Sequence, residues 1–133
     1  VRGFKLNNFI FVGGVDDTRI ELANSDVVVC CSLAEASPTV VWEALSMGEP
    51  IVSTNVGEVD YIIENGTSGI VCKNRDAQEL ATNIEYLLLH KEVTEKIRKK
   101  ARTRAKNMLD VTLIAKQHFQ AYRKTMEHLT KRI

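Results

Sequence analysis

The sequence predicts an α/β domain in which a parallel sheet carries helices on both faces. Over the first 90 residues, short apolar runs alternate with segments of helical periodicity. The links between them are short and rich in Gly, Pro, Asn and Ser, which is typical of strand–helix–strand units. Such units need parallel strands and right-handed crossovers. We therefore expect a Rossmann-like sheet, followed by a helical C-terminal tail.

Four apolar runs have the length and bounding residues of strands. They are Asn8–Gly14, Asp26–Cys31, Ile51–Thr54 and Ser68–Cys72. Helices are predicted between them, starting near Asp17, Pro38 and Val59. Because ligands of such sheets bind at the carboxyl ends of the strands, the loops at Gly13–Gly14, 32–37 and 55–58 are expected to share one crevice.

The helix after the second run has a clear start and a clear end. Ser37 is a suitable N-cap, and Pro38 is tolerated at the first helical position because it has no N–H to leave unpaired. Thr39 to Met47 then has helical character, and Gly48 ends the helix. A strand, a short turn and a helix with free N–H groups at its start together form the usual geometry for binding an anion.

The tail is predicted to be helical from Asp76 onward. Asp76 is a suitable N-cap, with Glu79 three residues later in a capping-box arrangement. A second, basic helix is expected over residues 93–108, where Val93, Ile97, Ala101 and Ala105 form a thin apolar stripe. Asp110 precedes a third helix, predicted from Val111 to about Thr130.

Length and composition indicate one folded domain. The chain has 133 residues, 44% of them hydrophobic, and no apolar run approaches the roughly 20 residues that cross a bilayer. The first residues contain no apolar segment of the kind found in signal peptides. The sequence does not begin with Met, so we expect it to be part of a longer protein. Its three cysteines are interpreted as reduced thiols of a cytosolic protein.

The net charge of +1 conceals a strong asymmetry. Residues 1–90 contain 5 Lys and Arg against 13 Asp and Glu, whereas residues 91–133 contain 13 against 4. The basic tail is either a solvated helix face or a surface for a negatively charged partner such as anionic lipid. The basic run at 96–106 lacks interleaved aromatic residues, which argues against nucleic acid as the partner.

Two glutamates, Glu35 and Glu43, bracket the start of the central helix at a spacing of eight residues. That spacing also occurs by chance on surface helices. Here, however, the pair follows a predicted strand and lies beside glycine loops at neighbouring strand ends. An ionised carboxylate accepts hydrogen bonds from pairs of hydroxyl groups, and the helix start can bind a phosphate.

The stretch SDVVVCCSLAEASPTVVWEALSMGEPIVSTNVGEVDYIIENGTSGIVCKNRDAQEL resembles the retaining glycosyltransferases of the GT-B fold, in the large GT4 family. The resemblance rests on the Glu-x7-Glu spacing, the following Gly-x-Pro strand and the Asn-Gly and Ser-Gly-Ile-Val segments. It implies that the chain is the C-terminal, nucleotide-sugar-binding half of a two-domain enzyme. The implied reaction moves a sugar from a UDP- or GDP-linked donor to a hydroxyl acceptor.

Site residues follow from the same resemblance. Glu43 resembles the acid that binds the ribose hydroxyls of the nucleotide. Glu35 resembles the catalytic-site acid that contacts hydroxyls of the transferred sugar and orients it. Val12 and Gly13 resemble the strand end that packs on the nucleobase. The backbone N–H groups expected to bind the diphosphate are those of Ala36, Ser37, Thr39 and Val40.

The resemblance also implies how the chain is organised. Residues 1–90 would be the donor-binding core without its first βαβ unit, and residues 91–133 would be basic helices packing on the same domain. An Arg and a Lys that neutralise the diphosphate are expected in that first unit, and the acceptor-binding domain is expected before it. We therefore expect the isolated chain to be inactive. It departs from the family pattern at Ala36 and Ser37, where the family often has Gly and an aromatic residue, and at Glu58, where Gly is common.

No cofactor and no metal are expected, because the nucleotide-sugar is a substrate and the three histidines show no metal-ligand spacing. The expected partners are the nucleotide-diphosphate sugar, the N-terminal acceptor domain and an anionic membrane surface bound through residues 91–133. The expected location is cytoplasmic, at the inner face of the membrane. The expected pathway is polysaccharide, lipopolysaccharide or lipid-linked glycan synthesis.

Three alternatives remain open. The first is a nucleotide-binding domain without transfer activity. The second is an interaction module that uses the basic helices. The third is a phosphoryl-accepting α/β regulatory domain, for which Asp16–Asp17 is weak support.

Overall fold

The computed structural model describes residues 8–73 and 76–130. Its elements in chain order are α1 Thr18–Ala23, β1 Val28–Cys30, α2 Thr39–Met47, β2 Ile51–Thr54, α3 Val59–Ile62, β3 Ile70–Cys72, α4 Ala77–Leu89, α5 Lys91–Leu109 and α6 Val111–Thr130.

Within the described residues, β1, β2 and β3 form a parallel sheet in that order. Val28 pairs with Ile51, and Val52 pairs with Ile70. Three of the four predicted strands are therefore present. β1 and β3 are shorter than predicted, because the outer residues of those two runs lie outside the ladder. The parallel α/β prediction is confirmed.

Helices cover both faces of the sheet, as predicted. On one face, Val28, Cys30 and Ile51 belong to a buried cluster with residues of α2 and α3. On the other face, Val52 and Cys72 pack in a second cluster with Leu87 of α4. β2 lies between the other strands, and all four of its residues are buried, as expected for the central strand of a sheet covered on both sides.

The predicted strand at Asn8–Gly14 is absent, and this prediction was wrong. Residues 9–15 have no regular secondary structure, and every one of them is exposed. Ile10 and Phe11 are 84% and 75% exposed. A buried parallel strand requires a hydrogen-bonded neighbour and apolar cover on both faces, and this run has neither within the described residues. Hydrophobicity alone therefore predicted a strand that the tertiary structure does not form.

Helix ends agree with the sequence in most places. Asp17 and Asp76 are N-caps that accept hydrogen bonds from the backbone N–H two residues later. Gly48 ends α2 in the left-handed conformation, at a φ of 77°. At the start of α2 the prediction was wrong by one residue. Pro38 is the N-cap and no side chain caps the helix, while the Ser37 hydroxyl accepts a hydrogen bond from Trp42.

The predicted apolar stripe of α5 packs against the core. Ala101 and Ala105 are buried in the cluster that includes α2, whereas Ile97 belongs to the α4 cluster. Polar contacts reinforce this packing: Arg98 forms an ion pair with Glu49, which follows α2, and the Arg104 guanidinium donates to the carbonyl of Ile62 at 2.6 Å. α5 is thus fixed to both α2 and α3.

α6 is a helical tail with little cover. Of residues 111–129, Ile114 is half-buried and the others are exposed. Among the helices that the structure describes, none combines the length and the apolar content needed to span a membrane. The division of the chain into a core of residues 1–90 and packed basic helices of 91–133 stays a prediction.

Candidate functional site

The candidate site is the segment that joins β1 to α2. We call residues 32–37 the Glu35 loop. The loop follows β1 after one residue and leads through Pro38 into α2, so it lies at the carboxyl edge of the parallel sheet. That edge is where ligands of open α/β sheets bind.

The start of α2 offers unpaired backbone donors. Within residues 8–73 and 76–130, the N–H groups of Ala36, Ser37, Thr39 and Val40 donate to no protein acceptor, whereas the N–H of Val41 bonds the carbonyl of Pro38. The first turn contains no acidic side chain that would compete for these groups. Together with the roughly half positive charge of a helix N-terminus, they suit an anionic ligand.

Glu35 precedes this helix start in the chain and Glu43 follows it, and each accepts a hydrogen bond from a hydroxyl group. The Ser32 hydroxyl donates to one carboxylate oxygen of Glu35 at 2.8 Å. The Thr18 hydroxyl donates to one carboxylate oxygen of Glu43 at 3.2 Å. Glu35 is exposed and Glu43 is half-buried. A carboxylate has about four acceptor positions, so both acids keep the capacity to bind ligand hydroxyls.

Sequence reasoning missed the residues that hold the Glu35 loop from the neighbouring strand. The Thr54 hydroxyl, at the end of β2, donates to the Ser32 carbonyl at 2.7 Å. The backbone N–H of Glu58 donates to the Ala36 carbonyl at 2.9 Å. The contact between Ser32 and Glu35 could have been predicted, because the two are only three residues apart in the sequence. The contacts of Thr54 and Glu58 link two strand ends, and no local pattern indicates them.

Val12 and Gly13, predicted to contact the nucleobase, do not end a strand. Val12 is 56% exposed, and a Cβ placed on Gly13 would meet nothing within 4 Å. Among the described residues, no hydrogen bond joins either one to α2 or to the Glu35 loop. The predicted residues of the loop and α2 are continuous along the chain through Pro38, whereas Val12 and Gly13 belong to a separate segment without regular secondary structure. The nucleobase role of Val12 and Gly13 stays a prediction.

Residues 33–37 of the Glu35 loop are exposed. A cavity of about 700 Å³ lies elsewhere, at the junction of α5 and α6, and is lined by residues that include Lys106, Asp110 and Lys116. None of the predicted site residues lines it. In the part of the chain that the structure describes, no three His, Cys, Asp or Glu side chains are grouped so that they could hold a metal ion.

Comparison with known proteins identifies the family. The sequence profile described as "Glycosyl transferases group 1" matches residues 4–104, which is most of the chain. The chain belongs to this family. The match covers β1 to β3, the Glu35 loop and α2, and it continues into α5.

The relatives that the chain matches include a trehalose synthase and a glycogen synthase. The chain is 31% identical to the trehalose synthase of Pyrococcus horikoshii over 117 residues, which are 88% of this chain and 26% of that protein. It is 30% identical to the glycogen synthase of Mycobacterium tuberculosis over 114 residues, which are 84% of this chain and 28% of that protein. The chain therefore spans about a quarter of the length of these relatives.

Solved structures show the same fold. The structure of Anabaena HepE in complex with UDP matches with a TM-score of 0.74 at 27% identity, over 78% of this chain and 29% of that one. The sucrose-phosphate synthase of Thermosynechococcus elongatus matches with a TM-score of 0.76 at 24% identity, over 84% of this chain and 28% of that one. The parallel sheet and its flanking helices are thus those of GT-B glycosyltransferases.

Proposed function

We propose that this chain is the donor-binding half of a retaining glycosyltransferase. The intact enzyme would transfer a sugar from a nucleotide-diphosphate donor, UDP-linked rather than GDP-linked, to a hydroxyl acceptor bound by an N-terminal domain. One observation carries the proposal: the free N–H groups at the start of α2 fall, along the chain, between two carboxylate residues, Glu35 and Glu43. In this family, that arrangement suits a sugar nucleotide, which is anionic in the middle and carries hydroxyl groups at both ends.

Each part of the donor has a suitable partner. The diphosphate would accept hydrogen bonds from the N–H groups of Ala36 and Ser37 in the Glu35 loop and from those of Thr39 and Val40 in α2. Glu43, one turn further along α2, would accept the ribose hydroxyls. Glu35 would accept hydroxyls of the sugar. Hydrogen bonds to a charged group are roughly twice as strong as those between neutral groups, so this set can both bind and orient the donor.

The helix start also suits the chemistry. As the bond between the sugar and the diphosphate breaks, negative charge grows on the leaving phosphate. Backbone donors that already point at that position stabilise the charge without reorganisation. We propose that these donors, with basic residues outside this chain, replace a metal ion. Transfer would then persist in the presence of EDTA, and its loss would contradict the metal-free proposal.

The preference for UDP is supported by the structures of Anabaena HepE, which were determined with UDP and with UDP-glucose. The proposed pathway is polysaccharide, lipopolysaccharide or lipid-linked glycan synthesis. It is supported by a 35% identity over 78 residues to a lipopolysaccharide core biosynthesis glycosyltransferase of Rhizobium meliloti. That match covers 59% of this chain and 23% of the relative.

Nucleotide titration of the intact protein tests the binding part of the proposal. Trp42, the single Trp of the sequence, donates to Ser37 of the Glu35 loop at 3.1 Å, so its fluorescence should report on binding. We expect UDP to bind and Glu43→Gln to weaken binding about tenfold, which corresponds to the loss of about one hydrogen bond to a charged group. Glu85→Gln, an exposed change on α4, is the control. Equal affinity of all three proteins would contradict the ribose role.

Product analysis tests the transfer part. NMR of the product should show the anomeric configuration of the donor, and an inverted product would contradict the retaining mechanism. The second candidate is a nucleotide-binding domain without transfer activity. It would be favoured if the intact protein bound UDP but neither hydrolysed nor transferred any UDP- or GDP-sugar.

The tail supports a proposal about location. We propose that α6 binds an anionic lipid surface at the cytoplasmic face of a membrane. Phe119, Tyr122 and Leu129 recur at helical spacing and are 66%, 70% and 54% exposed, while Lys116 and Lys124 add positive charge. Such a helix can lie in a lipid interface.

Vesicle co-sedimentation tests this location. The protein should bind vesicles containing phosphatidylglycerol and not vesicles of phosphatidylcholine alone. Tyr122→Ser should reduce binding, whereas Thr112→Ser, which is also on α6, should not. Binding that is independent of lipid charge, or that the Tyr122 change leaves intact, would contradict the proposal.

A further inference from the structure

The Glu35 loop has little support of its own. All of its residues except Ser32, which is half-buried, are exposed. The loop also contains no residue of either buried cluster. Besides the bond from Trp42 of α2 to Ser37, two contacts hold it from β2 and the segment that follows β2. The first is made by Thr54, a residue that is only 2% exposed. Its hydroxyl donates to the Ser32 carbonyl at 2.7 Å. The second is the Glu58 N–H, which bonds the Ala36 carbonyl at 2.9 Å.

Gly57 makes the second contact possible. Its φ is +54°, and a Cβ placed on it would lie 2.1 Å from the Ala36 carbonyl oxygen and 2.5 Å from the Glu35 carbonyl oxygen. Neither distance is compatible with a real side chain, and both neighbours are backbone atoms. Any residue other than glycine would therefore push the Glu35 loop away from β2.

We propose that Thr54 and Gly57 are positioning residues that hold the Glu35 loop in the place where it binds the diphosphate and sugar of the donor. The inference rests on the donor-binding function proposed above and adds a mechanism to it. The end of one strand sets the geometry of a loop that belongs to another. Neither residue touches the ligand through its own side chain.

Displacement of the loop should spare the nucleoside end of the site. Glu43 lies on α2, whose residues Val41, Ala44 and Leu45 are fully buried in the core. α2 therefore has its own anchor. When the loop moves, the contribution of the diphosphate and sugar to affinity should fall while the contribution of the ribose persists. General destabilisation would not produce this difference between ligands.

The test measures the affinities of UMP, UDP and UDP-glucose for the intact protein, or of the guanosine series where the wild type prefers it. Gly57→Ala is compared with Gly66→Ala, because Gly66 also has a positive φ, of 77°, but nothing lies within 4 Å of an added Cβ. Thr54→Val is compared with Thr54→Ser, which keeps the hydroxyl. Circular dichroism fixes a temperature at which every variant is folded.

We expect Gly57→Ala and Thr54→Val to weaken UDP-glucose binding about tenfold or more, and to leave UMP binding within about twofold of the wild type. Gly66→Ala and Thr54→Ser should behave as the wild type with all three ligands. If Gly57→Ala does not fold, Thr54→Val, a change of similar shape, still decides the question.

Two results would contradict the account, and they differ. A wild-type protein that binds no nucleotide contradicts the proposed function and this inference with it. A wild-type protein that binds the series, with both variants losing affinity equally for UMP and UDP-glucose or losing none, contradicts the positioning role and leaves the proposed function standing.

Discussion

The packing of α5 against α2 can be tested with a single added methyl group. Gly48 ends α2 with a φ of 77°, and a Cβ on it would lie 3.2 Å from the Arg98 carbonyl oxygen and 3.3 Å from the Arg102 Cβ. Gly66 has the same φ, but nothing lies within 4 Å of its Cβ position. Ala at either position meets the same backbone strain and the same change in the unfolded chain. The difference between the two variants therefore isolates the contact with α5.

The magnitudes follow from these distances. The left-handed conformation costs an L-residue about 1–2 kcal/mol. Crowding of the Gly48 methyl against α5 adds about 1 kcal/mol, at the low end for overpacking, because the contacts are tight without overlapping. Gly66→Ala should therefore lower the free energy of unfolding by about 1–2 kcal/mol and Gly48→Ala by about 2–3 kcal/mol. Since the entropy of unfolding is about 2.1 cal/mol/K per residue, each kcal/mol lowers the Tm of a chain of this length by about 4 °C.

Urea denaturation followed by circular dichroism gives the two free energies, and thermal melts give the two Tm values. Equal losses for Gly48→Ala and Gly66→Ala would refute the packing of α5 on the end of α2. A larger loss in the free energy of unfolding for Gly66→Ala than for Gly48→Ala would contradict this packing still more strongly. The result bears on the site, because α2 carries Glu43 and its own position depends on α5.

Three further predictions concern single groups. Ser32→Ala should weaken UDP-sugar binding several-fold through loss of its bond to Glu35 while UDP binding is kept, and Ser32→Thr should restore it; equal loss of both ligands would contradict this role. Native protein should react at Cys31, the exposed thiol, with one equivalent of Ellman's reagent and with three after denaturation; three fast-reacting thiols in the native state would contradict the described burial. Hydrogen bonds from the Arg19 guanidinium and backbone N–H lower the pKa of Asp17 from 3.8 to about 2. The stability that this carboxylate gives α1 is therefore present above pH 3.8 and lost as the pH falls through about 2. An NMR titration midpoint near 3.8 would contradict it.

Elements that depend on local pattern could be predicted from the sequence. β2 is a short apolar run bounded by Pro50 and Asn55 and buried on both faces. The stripe of α5 repeats every four residues, and its members Ile97, Ala101 and Ala105 are buried. In such segments, periodicity and burial reflect the same physical requirement, so one predicts the other.

Elements that depend on distant partners could not be predicted. The run at Phe9–Val12 is more apolar than β2, but a strand also needs a neighbour to pair with, and the sequence does not show whether one is present. Ser37 is a good N-cap by composition, but its hydroxyl is used by the indole of Trp42. Choices of this kind are decided by tertiary contacts.

The candidate site also contains some features that depend on local pattern and others that depend on distant contacts. The spacing of Glu35 and Glu43 around a helix start could be predicted because it depends on one strand, one turn and one helix. The groups that orient them lie farther away. Thr18 is 25 residues from Glu43 in sequence, and Gly57 reaches the Glu35 loop from the end of another strand. These contacts appear only in the folded chain.

The most direct test of the central claim is a crystal structure of the intact protein with bound UDP. The account predicts phosphate oxygens about 2.7–3.2 Å from the backbone nitrogens of Thr39 and Val40, and the ribose hydroxyls on the Glu43 carboxylate. A diphosphate bound away from the start of α2, or a ribose that does not contact Glu43, would contradict it.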